Sequence, residues 1–292
     1  YFSGRRFLFG VGAGVGLFAA HFWASYGMRH NSEILSQEKM RIAFAGHSTA
    51  LIELDDTRVL TDPLFRSALL HLQRHAPLVD IERYGSPDVL LISHSHMDHL
   101  DKRSLKLVNK TTRAIVPSDS VKLIRSLGFK DVVGLSAGEQ VEAGALNVRA
   151  VHADHGGSRM PWNADAETIG FVVEGSQSVY YAGDTDIFDE MEGIGEALDV
   201  ALLPVWGWGP KLGVGHLDPE RAAAAVGLIR PRIAIPVHWG GYLPAGMAKR
   251  RPELLTDPPR KFKRLVEASD AGATRVELIE PGDEISVEPV TA

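Results

Sequence analysis

The chain has 292 residues, 45% of them hydrophobic and 23% charged, with a net charge of -6 and no cysteine. This is an ordinary globular composition, and the length fits one large domain, so neither wholesale disorder nor a short-period repeat is indicated. The acidic balance argues against nucleic acid as a partner; the absence of cysteine excludes disulfides, thiolate metal sites and cysteine nucleophiles, so any metal must be held by His, Asp or Glu.

Residues 7–28 are apolar and contain no acid, lysine or arginine, while Arg5, Arg6 and Arg29 flank them. A helix over this stretch spans roughly 33 Å, the thickness of a hydrocarbon core. Gly10/Gly14 and Gly12/Gly16 give small-xxx-small spacings that let a partner helix approach closely. Trp23 and Tyr26 fall near one end, where an aromatic belt sits. The expectation is a membrane-associated protein, with residues 1–30 as a single-span transmembrane helix of undetermined orientation. An export signal yielding an exported form, or a glycine-rich soluble helix, are the competing readings. Residues 31–40 read as a linker and residues 41–292 as the globular domain.

From Arg41 the pattern is many short strands with helices inserted. Residues 41–45, 50–54 and 57–61 predict a meander turning at Asp55-Asp56. Residues 66–87 have no clear period and read as a loop or short helices. Residues 88–93 (DVLLIS) form a continuous apolar run, consistent with a buried strand. Helices are expected over 101–109 and 119–127, the latter stopped by Gly128. Strands follow through 132–151, then a hairpin of 169–174 and 178–182, then a buried strand at 200–205. Residues 218–229 predict a helix with Asp218 as N-cap and Pro219 at its first position. A strand at 233–237, a helix near 261–269 and a strand near 275–279 complete the chain.

The chemistry concentrates at the end of the DVLLIS run, in His94-x-His96-x-Asp98-His99. Alternate residues of an extended chain point to one side, so His94 and His96 can share one metal. Asp98 and His99, at the turn into the next helix, can reach a second metal about 3.5–4 Å away. Imidazole and carboxylate suit zinc, with iron, manganese or nickel as alternatives. A chance run of histidines in a surface loop is the bland alternative; four donors directly after a buried strand argue against it.

H-x-H-x-D-H after an apolar strand resembles the signature of the metallo-β-lactamase superfamily, and the resemblance extends over most of the chain beyond Arg41. It implies a four-layer αββα sandwich of α/β or α+β class and a hydrolase with two divalent metal ions bridged by a hydroxide. The motif Ala182-Gly183-Asp184-Thr185 resembles the family's bridging Gly-Asp-Thr, which gives Asp184 that role. Pro236-Val237-His238 resembles the final histidine motif. His152 and His155 both lie where the third histidine belongs; the His155/Arg159 spacing resembles the branch of N-acyl-phosphatidylethanolamine phospholipase D and ascorbate-lactonase-like proteins, and selects His155. Gly46-His47-Ser48-Thr49, Thr61-Asp62-Pro63 and His216-Leu217-Asp218-Pro219-Glu220 resemble the same branch.

The resemblance therefore implies metal ligands His94, His96, Asp98, His99, His155, Asp184 and His238. His47 and Asp62 back the ligands, and Asp98 and His216 serve the catalytic step. Arg159 and Trp208 are candidate substrate contacts; a surface ion pair for Arg159 and a core role for Trp208 are the alternatives. The implied substrate is a phosphodiester, in particular a phospholipid, with a lactone or carboxylic ester as first alternative. An accessory membrane subunit of a larger complex is the alternative from another class. The absence of cysteine departs from the cysteine-ligated β-lactamases, and His96 departs from the glutamate of the di-iron oxygen-reducing branch.

Overall fold

The computed structural model describes residues 39–155, 167–195, 197–209, 211–269 and 274–290. The segment expected to cross a membrane, together with Arg159, lies outside these. Among the described residues no helix is long and apolar enough to cross a membrane.

Three strands open the fold as the expected antiparallel meander: β1 (Met40–Gly46), β2 (Thr49–Leu54) and β3 (Thr57–Thr61). Residues 66–87, read as a loop or short helices, contain the short helix Ile81–Tyr84 and also a hairpin that was not expected, β4 (Ala68–Leu69) and β5 (Leu72–Arg74). Next come β6 (Val89–Leu91), β7 (Arg113–Pro117) and β8 (Val132–Leu135), each parallel to its neighbour. The remaining strands are β9 (Gln140–Ala143), β10 (Leu146–His152), β11 (Ile169–Glu174), β12 (Ser178–Tyr181), β13 (Val200–Pro204), β14 (Ile233–Val237), β15 (Tyr242–Pro244), β16 (Arg275–Val276) and β17 (Glu284–Val287).

Two seven-stranded sheets result, ordered β17-β1-β2-β3-β6-β7-β8 and β16-β14-β13-β12-β11-β10-β9, with β15-β5-β4 as a small third sheet. The first large sheet buries both faces through simple alternation. Ile42, Phe44, Ile52, Val59, Leu91 and Ile115 join the core between the sheets. Ala43, Ala45, Leu51, Leu60, Leu90 and Val116 pack outward against Leu105, Ile124 and Phe129. On the second sheet, β13 and β14 are buried throughout and correspondingly apolar, as parallel strands covered on both faces must be. Helix Pro219–Ile229 covers them with Ala222, Ala225, Val226 and Ile229, a 3.6-residue stripe, and Phe262 and Val266 of helix Asp257–Glu267 join the same core. This is the four-layer αββα arrangement.

Local signals set the helix ends. The Asp218 side chain accepts a hydrogen bond from the Arg221 amide at 2.9 Å, a cap that contributes about 1 kcal/mol. Asp101 caps in the same way at Ser104, but its helix runs only Lys102–Leu105, shorter than expected. The last helix starts before the expected 261, because Pro258 and Pro259 are accommodated in a first turn that needs no amide donor. The expected strand over 275–279 is confined to Arg275–Val276, and β17 was not expected at all. It is a four-residue sheet edge in which Ile285 and Val287 alternate with exposed Glu284 and Ser286, too short a signal to stand out in the sequence; its register is set by pairing with β1, Met40 opposite Val287.

Candidate metal centre

Strands β3 and β6 run parallel in one sheet, and β12, β13 and β14 run parallel in the other. Their carboxyl ends carry Asp62, His94, Asp184, Trp206 and His238, so the crevice beyond those ends collects residues from distant parts of the chain. β10 is antiparallel to β11, which is antiparallel to β12, so the end of β10 delivers His155 to the same edge.

The histidines are oriented by partners at Nδ1. His99 Nδ1 donates to Asp62 Oδ2 at 2.7 Å, His238 Nδ1 to the Trp206 carbonyl at 2.7 Å, and His155 Nδ1 to the Gly215 carbonyl at 2.6 Å. Ser93 Oγ gives its proton to Asp62 Oδ2 at 2.5 Å and so accepts from His94 Nδ1 at 2.9 Å. Each Nε2 is thereby freed for the centre of the cluster. Asp62 is itself held by the Ser93 amide at 2.8 Å and the Tyr181 hydroxyl at 2.5 Å.

Two subclusters face each other. His94, His96 and His155 form one, with His96 Nδ1 and His155 Nε2 3.1 Å apart. Asp98, His99 and His238 form the other, with His47 beside them. Asp184 Oδ2 is 3.2 Å from His99 Nε2 and 3.5 Å from His216 Nε2, while Oδ1 is 3.3 Å from His238 Nε2; Asp184 also groups with His155. Asp98 Oδ2 accepts from His47 Nε2 at 3.1 Å and from Trp208 Nε1 at 3.3 Å. His152 is not part of the cluster: its ring packs edge-on against Phe188, with centroids 5.0 Å apart.

These residues fit divalent cations. His94 Nε2 and Asp184 Oδ1 are buried without a hydrogen bond, an arrangement that costs about 1–3 kcal/mol per group unless a cation satisfies it. His238 Nε2, with its proton committed at Nδ1, turns a lone pair toward a carboxylate oxygen, and a positive charge between them removes the repulsion. Burial lowers the pKa of His94 well below its ordinary value, that of His96 to about 4 and that of His238 to about 3, neighbouring imidazoles adding to the effect. These three are therefore neutral, as ligation requires. For His99 burial opposes the charged form, but Asp184 and Asp62 outweigh it and raise the pKa, so a bound cation would have to displace its proton. For Asp98 and Asp184 burial opposes ionisation, but the surrounding histidines outweigh it and both pKa values fall. His216 is raised: burial works against the charged form and the Asp184 contact prevails.

Gly183 has φ +62°, and a Cβ there would stand 2.6 Å from Ser93 Cβ, so the chain before Asp184 packs directly on the residue before His94. Sequence reasoning missed Ser93 and Tyr181, which hold Asp62, although both flank motif residues. The Trp206 and Gly215 carbonyls that fix His238 and His155 left no signal, because a backbone group has no residue type.

A family model described as a beta-lactamase superfamily domain matches residues 57–239. A UPF0173 protein of Pyrococcus furiosus is 32% identical over 74% of this chain and 90% of its own length. A UPF0173 metal-dependent hydrolase of Methanopyrus kandleri is 32% identical over 84% and 98%. Among solved structures, the metallo hydrolase Igni18 of Ignicoccus hospitalis superposes with a TM-score of 0.62 at 24% identity, covering 86% of this chain and 99% of its own, a likeness of fold. The chain belongs to the beta-lactamase superfamily, in its UPF0173 group of metal-dependent hydrolases.

Proposed function

We propose that this metal-dependent hydrolase works with two divalent ions, zinc foremost, and cleaves a phosphodiester, with phospholipids the first class to try. The observation that supports the two-metal reading is Asp184: its two oxygens lie 3.2 and 3.3 Å from His99 and His238 of one subcluster, it also groups with His155 of the other, and its Oδ1 has no hydrogen bond. His94, His96 and His155 would hold one ion, Asp98, His99 and His238 the other, and Asp184 both. The phosphodiester reading is supported by the branch resemblance of the His47, Asp62 and His216 motifs.

Ions held there supply Lewis-acid polarisation of the scissile group and acidification of water. The chain's own residues do the rest. Asp98, fixed by His47 and Trp208, orients the attacking water. His216, with its raised pKa and its Nε2 beside Asp184, carries a proton for the leaving group. Tyr181 and Ser93 keep Asp62 still, and through it the His99 ring.

The test is metal content together with hydrolysis of bis(4-nitrophenyl) phosphate and of a simple lactone, for the wild type and Asp184→Asn. About two metals per chain and phosphodiester turnover lost in the variant support the proposal. Turnover of the lactone alone moves the substrate class to carboxylic esters, and absence of bound metal overturns the reading.

A further inference from the structure

One cation near the centre has no task in the chemistry above. Gly207, Trp208, Lys211, Leu212, His216 and His238 line a cavity of about 40 Å³. Lys211 is exposed, and among the described residues its ammonium has no ion-pair or hydrogen-bond partner.

The cavity is built to stay open. A Cβ on Gly207 would stand 3.1 Å from Leu212 Cδ2 and 3.6 Å from His238 Cε1, so any side chain there narrows the space beside a metal-ligand candidate. The volume is room for roughly three waters. That matches the heavy atoms of a carboxylate, or somewhat less than a phosphate, and is too small for an acyl chain. Its wall is apolar at Trp208 and Leu212 and basic at Lys211. A small pocket orients a ligand through its few polar groups, which here include Lys211, His216 and His238. A lysine ammonium serves anions as a point charge, without the planar geometry that arginine demands.

We infer that Lys211 is a specificity-determining residue that seats an anionic substituent of the substrate, a carboxylate, lying outside the bond that is cleaved. The inference rests on the proposed hydrolysis at the His/Asp cluster and adds a substrate class to it. Binding energy from such a remote group serves to position the reacting bond.

The experiment compares 4-nitrophenyl phenyl phosphate with its analogue bearing a carboxylate on the phenyl ring, in zinc-loaded wild type, Lys211→Gln and Lys211→Arg. The wild type should prefer the carboxylated diester by about tenfold in kcat/KM, as expected for one hydrogen bond to a charged group. The preference should reside in KM, vanish in Lys211→Gln, persist in Lys211→Arg and shrink as salt rises. Equal use of both diesters by the wild type, or an unchanged preference in Lys211→Gln, overturns the inference. If neither diester is cleaved, the phosphodiester reading fails and calorimetry decides the Lys211 question. A succinate-to-acetate affinity ratio that falls about tenfold in Lys211→Gln supports the role, and an unchanged ratio rejects it.

Discussion

His99 Nδ1 and Asp62 Oδ2 lie 2.7 Å apart with both side chains fully buried, so a carboxylate from the end of β3 fixes an imidazole from the turn after β6. Asp62 has φ +30°, an uncommon conformation for a residue other than glycine. The chain tolerates it where four hydrogen bonds converge on one carboxylate.

Asp62→Asn should weaken metal binding about 10–100-fold, the usual effect of removing a carboxylate that orients a ligand histidine. Competition against a chromogenic chelator measures it. An affinity equal to the wild type's would mean that the ring is held by packing alone.

Removing the metal should lower thermal stability as well as abolish hydrolysis. Buried His94 Nε2 and Asp184 Oδ1 would be left without partners. Melting curves before and after dialysis against a chelator should differ by several degrees, and zinc should restore both properties. Identical curves would show that the cluster does not contribute to folding through a cation.

His155→Ala should lose metal and activity, whereas His152→Ala should keep both. The first ring sits 3.1 Å from His96 and the second packs edge-on against Phe188 outside the cluster. Metal analysis of the two purified variants separates them, and metal loss in His152→Ala would reverse the assignment.

Gly183→Ala should destabilise the fold by about 1–3 kcal/mol through its positive φ, and further through the contact 2.6 Å from Ser93 Cβ. The readout is denaturant unfolding together with metal content, since relief of the clash displaces Asp184 or His94.

Phe262→Ala tests the scaffold separately from the site. Its ring is fully buried in the core beneath the outer helices, and truncation should cost about 3–5 kcal/mol. Turnover per folded molecule should remain near the wild-type value at low temperature, because Phe262 belongs to the apolar core and supplies no donor to the cluster. A loss of turnover without loss of stability would contradict this division.

The sequence alone was sufficient wherever the signal was local. The H-x-H-x-D-H spacing after a buried strand, the meander of β1 to β3, and the capped helix Pro219–Ile229 each depend on residues close together in the chain. Alternation, a cap and a donor set are written in neighbouring side chains. The tertiary structure decided what depends on distant partners. β17 is a strand because β1 offers it an edge, and β4 and β5 are strands because β15 completes their sheet. His155 reaches the cluster where His152 does not, because the chain leaves β10 between them. His238 and His155 gain their orientation from the carbonyls of Trp206 and Gly215, and Asp62 its rigidity from Tyr181. Backbone carbonyls are the same at every residue, and only the fold brings a particular one to a particular ring.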